Sequence, residues 1–326
     1  MPLAENLRSA LLPGTKTKAE AGKLAYIDAL RGIAALSVLV YHIYGAAGTT
    51  TGWMYPLQVI PERLISLAIA GVPLFFIISA FTLYLSLDSR AGEERWASKF
   101  YLRRIFRIAP LFYFLLILVV LDDLILQKRA LSWPEVLANF SFTFNLVPEY
   151  AKSLFSDGWT VGVEMLFYLV LPLVFLKANN IPRAALLLLA VYWLSQEGRV
   201  LLEAVVGEAA MASTNYNFYN IFYWAYIFPL GILCYLIYKS HLPRLRREYR
   251  APVAAVMLSL SLIILFIFIN NLSLNIWLSA LYEPLGILTA WKGMSCIAFA
   301  LMTFSLSLLP ENRLLVNGIT RFYGTI

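Results

Sequence analysis

Charge is scarce in this chain. Asp, Glu, Lys and Arg make up 14% of its 326 residues and 60% are hydrophobic, whereas about a quarter of a soluble domain is charged. That balance excludes the soluble two-domain protein that length alone would suggest. Cysteine is scarcer still. Cys234 and Cys296 stand alone in apolar segments, so there is no disulfide framework and no metal-ligand spacing, and both read as packing residues. No metal site is expected. Histidine is limited to His42 and His241. Internal repeats, low-complexity tracts and an appended soluble domain are all absent. Acid is short relative to base, giving a net charge of +7. The basic residues fall in loops between apolar runs, which argues against a nucleic-acid partner. They read as orientation signals and contacts with anionic membrane lipids.

What is present is a succession of apolar runs: residues 30–47, 64–87, 105–126, 159–176, 184–202, 221–238, 252–270 and 288–309. They predict an all-α, polytopic transmembrane helix bundle of about eight full spans. Residues 1–23 are polar and mixed in charge, without the apolar core and cleavage site of a secretory signal. They are expected to form an N-terminal tail, and residues 24–326 one membrane-embedded domain. A further run, residues 133–147, is short and carries Pro134, Glu135, Asn139 and Asn145.

Loop charges set the expected orientation. Arg90, Arg95, Lys99, Arg103, Arg104 and Arg107 cluster after the second run, Lys177 and Arg183 follow the fourth, and Lys239, Arg244, Arg246, Arg247 and Arg250 follow the sixth. The positive-inside rule places all three loops, and the N-terminus, in the cytoplasm. These assignments agree only if residues 133–147 are re-entrant or interfacial. Irregular backbone at membrane depth is tolerated where protein or a water-filled cavity covers it.

His42 lies deep in the first run, eleven residues after Arg31. Eleven steps at 3.6 per turn return to nearly the same direction, so the two share a face about 16 Å apart along the axis. Asp28 stands one turn before Arg31. A hydrogen-bonded core histidine is the bland reading of His42, but ionisable groups at membrane depth usually face a cavity, partner or pathway. His241 reads as a solvated loop residue. Glu164, five residues into the fourth run, is a buried carboxylate that needs a partner. In the expected topology it shares the outer half of the bilayer with His42, where it could hold the histidine tautomer and stabilise imidazolium. A structural ion pair is the alternative. Arg103 and Arg107 share a helix face with Arg104 beside them. Position alone leaves a phosphate site and a membrane anchor equally open. In residues 71–86, Gly71 and Pro73 suggest a bend, and Ser79 and Thr82 can hydrogen-bond locally.

Four stretches together resemble the acyltransferase-3 family of integral membrane acyltransferases. YIDALRGIAALSVLVYH (26–42) looks like its Arg-x10-His signature, and GVPLFFIISAF (71–81) like its second-helix motif, with Ala80 where the family usually has glycine. RRIFRIAP (103–110) and GWTVGVEMLFYLVLP (158–172) resemble its basic and Trp-Glu-Phe-Tyr-Pro motifs. The resemblance implies a membrane O-acyltransferase moving an acetyl or short acyl group to a hydroxyl of an extracytoplasmic glycan or lipid-linked saccharide. The donor would be acetyl-CoA or another acyl-CoA, used as a co-substrate rather than a tightly bound cofactor. His42 would be the catalytic base, with Glu164 orienting it. Arg31, Arg103, Arg104 and Arg107 would bind the donor, with Asp28, Ser79 and Trp159 in support. A covalent acyl-histidine stays open. The expected setting is a cell membrane, on a bacterial inner-membrane pattern. A transporter or flippase lined by the same polar residues is the rival reading, though the matched broken helices of such proteins are missing. The family pattern leads into one more apolar helix after RFYGTI (321–326), so a missing last helix is a further expectation.

Overall fold

A computed structural model of the protein describes residues 18–48, 70–127, 132–155, 158–207, 210–211, 214–270, 290–309 and 315–325. Every regular element among them is helical. The longer ones are α1 (Lys18–Gly48), α2 (Gly71–Asp88), α3 (Trp96–Leu121), α4 (Trp133–Phe140), α5 (Gly158–Lys177), α6 (Ile181–Val206), α7 (Ile227–His241), α8 (Arg247–Asn270), α9 (Ala290–Leu308) and α10 (Gly318–Thr325). A π-helical turn, Asp122–Leu126, extends α3, and two helical turns, Tyr216–Tyr219 and Ile221–Trp224, lead into α7. Among the described residues, seven stretches are long and apolar enough to cross a membrane, one fewer than the eight expected. The eighth expected run falls on α9, whose apolar part, Ser295–Leu308, is shorter than those seven. The chain is an all-α polytopic membrane protein.

Some boundaries differ from expectation. α1 begins at Lys18, well before the apolar run, because the preceding Ala, Glu and Lys residues are strong helix formers. α6 starts at Ile181, where the Asn180 side chain accepts from the Arg183 N–H at 3.0 Å and so caps an open helix end. Pro73 sits in the first turn of α2, where the missing N–H would have had no partner in any case. Residues 64–69 and 288–289 of the expected spans lie outside the described residues.

The chain divides into two compact units, Met1–Ile78 with Leu242–Ile326, and Ser79–His241. In the first, α8 lies along α9, where Ser261 Oγ donates to the Ala298 carbonyl at 2.8 Å. Helix α10 lies on α1. A Cβ on Gly32 would strike the Thr320 backbone, and one on Gly324 the Asp28 backbone. Small residues of this kind let helices pack closely in lipid. Cys296 is buried here, as is Cys234 in the other unit.

In the second unit, α6 packs against the span ending in α7, and Phe167 of α5 stacks on Phe228 with ring centroids 4.1 Å apart. Pro172 interrupts the hydrogen bonding of α5. Separately, the Leu169 carbonyl accepts from Tyr101 Oη at 2.7 Å, which ties α3 to α5. The 133–147 segment does not span. Helix α4 has eight residues and rises about 12 Å, well under the ~30 Å hydrocarbon layer. It gives way to 3-10 turns at Phe144–Leu146 and Pro148–Tyr150.

Candidate functional site

The residues singled out above fall in both units, Asp28, Arg31 and His42 in the first and the rest in the second.

Asp28, Arg31 and His42 lie on one unbroken helix, α1, so the shared face of Arg31 and His42 follows from helix geometry. All three are half-buried. The Arg31 guanidinium lies over the Phe75 ring, 5.8 Å from its centroid, and the His42 ring meets Tyr41 edge-on at 5.3 Å. The close contacts of Gly32 and Gly324 fix the Asp28–Gly32 stretch against α10. That clamp was not legible in the hydropathy pattern, because it is made by backbone against backbone.

In the second unit Glu164 is buried, 6% exposed. Its Oε1 accepts from Ser79 Oγ at 2.5 Å, across 85 residues of sequence. The Ser79 hydroxyl is therefore not turned onto its own helix, as local bonding would have it. Thr82 is, donating to the Ser79 carbonyl at 3.0 Å. The α5 turn carrying Glu164 is anchored on one side by Trp159, whose ring packs against Phe218, Tyr219 and Trp224. On the other side stands Asn145, fully buried. Its Nδ2 donates to the carbonyls of Tyr219 at 2.9 Å and Trp159 at 3.2 Å. A Cβ on Gly162 would collide with Asn145 Oδ1 and the Phe144 ring. The glycine two residues before Glu164 thus admits the 3-10 turn. Asn145, read in sequence only as a sign against spanning, ties that turn to α5.

The three arginines at the start of α3 differ. Arg103 Nη1 donates to Glu93 Oε2 at 3.1 Å, and Arg104 lies over the Phe100 ring at 5.8 Å. Arg107, one turn beyond Arg103, is exposed. The Arg103 hydrogen bond, aided by the charges of Arg103, Arg90 and Lys99, holds the Glu93 carboxyl below the usual carboxylate range. An anion binding Arg103 must compete with Glu93.

A second polar cluster was missed in the sequence. Asp88 accepts from Tyr235 Oη at 2.6 Å and lies 2.7 Å from Lys239 Nζ. Tyr84 Oη donates to the Ala178 carbonyl at 2.8 Å. These groups border a cavity of about 200 Å³. The signal was opposite charges at the ends of two apolar runs whose loops share one expected side.

The Acyltransferase domain family model matches residues 24–326. The chain is also similar to the "Putative acetyltransferase ORF330" of Acidianus two-tailed virus, 27% identical over 220 residues, which are 66% of this chain and 58% of that protein. No solved structure matches it.

Proposed function

Because the chain belongs to the acyltransferase-3 family, we propose that it is a membrane O-acyltransferase. It transfers an acetyl or short acyl group from an acyl-CoA to a hydroxyl of a glycan or lipid-linked saccharide on the far side of a cell membrane. The observation that carries this reading is the placement of Arg31 and His42 on one face of a single membrane helix. His42 takes the proton of the acceptor hydroxyl as its oxygen attacks the thioester carbonyl. The C–O bond forms, the C–S bond breaks, and coenzyme A leaves as thiolate and is then protonated. Glu164 is the second group to which we assign proton handling, with Ser79 holding its carboxyl in place.

The donor's phosphates are assigned to Arg103, Arg104 and Arg107, with Arg31 nearer the thioester. Guanidinium forks match phosphate bidentately, and three of them within two turns supply more donors than an orientation signal needs. The loop charges support a cytoplasmic N-terminus and a multi-pass arrangement of the bacterial inner-membrane kind. The chain spans 58% of the length of its viral relative, by name a "Putative acetyltransferase", and the acyl length and acceptor proposed rest on the family resemblance.

The test is thioester consumption by the purified protein in lipid nanodiscs with a glycan acceptor. His42→Ala should insert and melt like wild type while transfer falls by about 10²–10⁴-fold, the usual contribution of a general base. Near wild-type transfer by that variant would remove His42 from the chemistry. Solute movement without thioester consumption would favour a transporter instead.

A further inference from the structure

A cavity of about 410 Å³ opens between α5, α6 and the span ending in α7, within the usual size range of ligand sites. Its walls include Leu166 and Val170, Val191 and Ser195, and Phe222 and Phe228, and every lining side chain except Ser195 is apolar. Val170 and its neighbour Leu169 are also exposed, on a helix long and apolar enough to cross a membrane, so the groove would open to the hydrocarbon of the bilayer. Ser195 is 1% exposed, and its Oγ has no hydrogen-bond partner among the described residues. Helical serines commonly return that bond to the preceding turn.

Leu187, Val191, Ser195 and Arg199 follow one another at four-residue steps and form one ridge of α6. The first three line the groove, over about 12 Å of helix. Arg199 stands one turn past its end. Its guanidinium lies over the Tyr223 ring at 5.9 Å. Its Nε is buried without a hydrogen-bond partner, and it makes no ion pair among the described residues. It lies about 10 Å below the Val206 end of the helix, at a depth from which its long side chain reaches the interface. An arginine there calls for an anion.

We propose that this groove binds one anionic glycerophospholipid from the leaflet at the Val206 end. One acyl chain lies along the Leu187–Val191 ridge, the ester carbonyl accepts from Ser195 Oγ, and the phosphate sits on Arg199. The ester carbonyl of such a lipid hangs a few bonds below its phosphate, comparable to the one helical turn between Ser195 and Arg199. A polyprenyl phosphate offers no carbonyl to Ser195, and a neutral diacylglycerol offers nothing to Arg199. The proposal does not depend on the acyl-transfer reading.

Native mass spectrometry of the full chain, released from detergent with added lipids, tests it. Wild type should retain one ester-linked phosphatidylglycerol in preference to phosphatidylcholine and to the diether analogue. Arg199→Gln should weaken retention about tenfold or more. Ser195→Ala should weaken it about threefold and erase the ester-over-ether preference. Val191→Trp, which fills the groove, should abolish retention. Melting curves in lipid-free detergent show which variants fold, and the ester–ether comparison on wild type needs no variant. Equal retention of phosphatidylcholine, or retention unchanged in Arg199→Gln, overturns the proposal. Tighter retention of a polyprenyl phosphate also overturns it, and would mark the groove as a site for a lipid-linked acceptor.

Discussion

Asp88 closes α2 with both of its neighbours donating to it, Tyr235 at 2.6 Å and Lys239 at 2.7 Å, and its side chain is 29% exposed. Glu164 is 6% exposed and, among the described residues, accepts from one neutral hydroxyl, that of Ser79. Both are carboxylates on helices of the same unit. Asp88 has its charge matched by a cation and its edge open to polar surroundings, which is how a carboxylate is made stabilising. Glu164 is withdrawn further from water and compensated less. Burying an ionisable group without full compensation costs free energy. The difference separates a carboxylate that holds helices together from one that the fold retains at a cost, and a group of the second kind at membrane depth is a functional candidate.

The largest expected effect breaks the comparison at Glu164. Glu164→Gln keeps the shape and can still accept from Ser79, but it can neither carry charge nor exchange a proton. Transfer should fall by at least about 10²-fold, with the melting temperature in detergent unchanged or raised, since a buried ionisable group has been neutralised. A variant with normal turnover would place Glu164 with Asp88, as a structural residue. Asp88→Asn should do the reverse. It loses the ion pair with Lys239 and weakens the Tyr235 bond. Because Lys239 is 53% exposed, the cost is limited to about 1–2 kcal/mol. Thermal denaturation should register that loss, while turnover per folded molecule stays near wild type. A large drop in turnover would give the Asp88 cavity a role in the reaction.

What the sequence revealed and what it hid follow the same division. Hydropathy located the apolar runs because lipid demands continuous apolar surface, and short α4 stood out because Pro134, Glu135 and two asparagines broke it. Loop charge and crossing parity then excluded a span there, and the fold agrees. Pairings at long range were hidden. Ser79 meets Glu164 across 85 residues and Lys239 meets Asp88 across 151, and no local pattern encodes either. Helix α10 was missed for another reason. Its hold on α1 runs through Gly324 and the Thr320 backbone, close approaches that hydropathy does not record. Ser195 was passed over because one serine in an apolar run looks incidental until the groove beside it is seen.

The smallest expected effect concerns a third carboxylate, which lies outside the spans and so extends the comparison into water. Glu93 is half-buried, its side chain 34% exposed, and the hydrogen bond from Arg103 holds its carboxyl below the usual range. A lowered folded-state pKa contributes stability above the unfolded value, near 4.3, and that contribution is lost as the pH falls through the folded value. Wild type and Glu93→Gln should therefore differ slightly and constantly above about pH 6, with the gap closing on acidification below ~4.3. Solvent screening keeps the gap small. The same substitution bears on the donor. If Arg103 holds a coenzyme A phosphate, Glu93 competes for it, so Glu93→Gln should lower the donor KM with kcat unchanged, and Arg103→Gln should raise it, the pattern of gained and lost uniform binding. A donor KM indifferent to both would leave Arg103 and Glu93 as a surface pair that anchors the start of α3, and would move the phosphate assignment to Arg104 and Arg107.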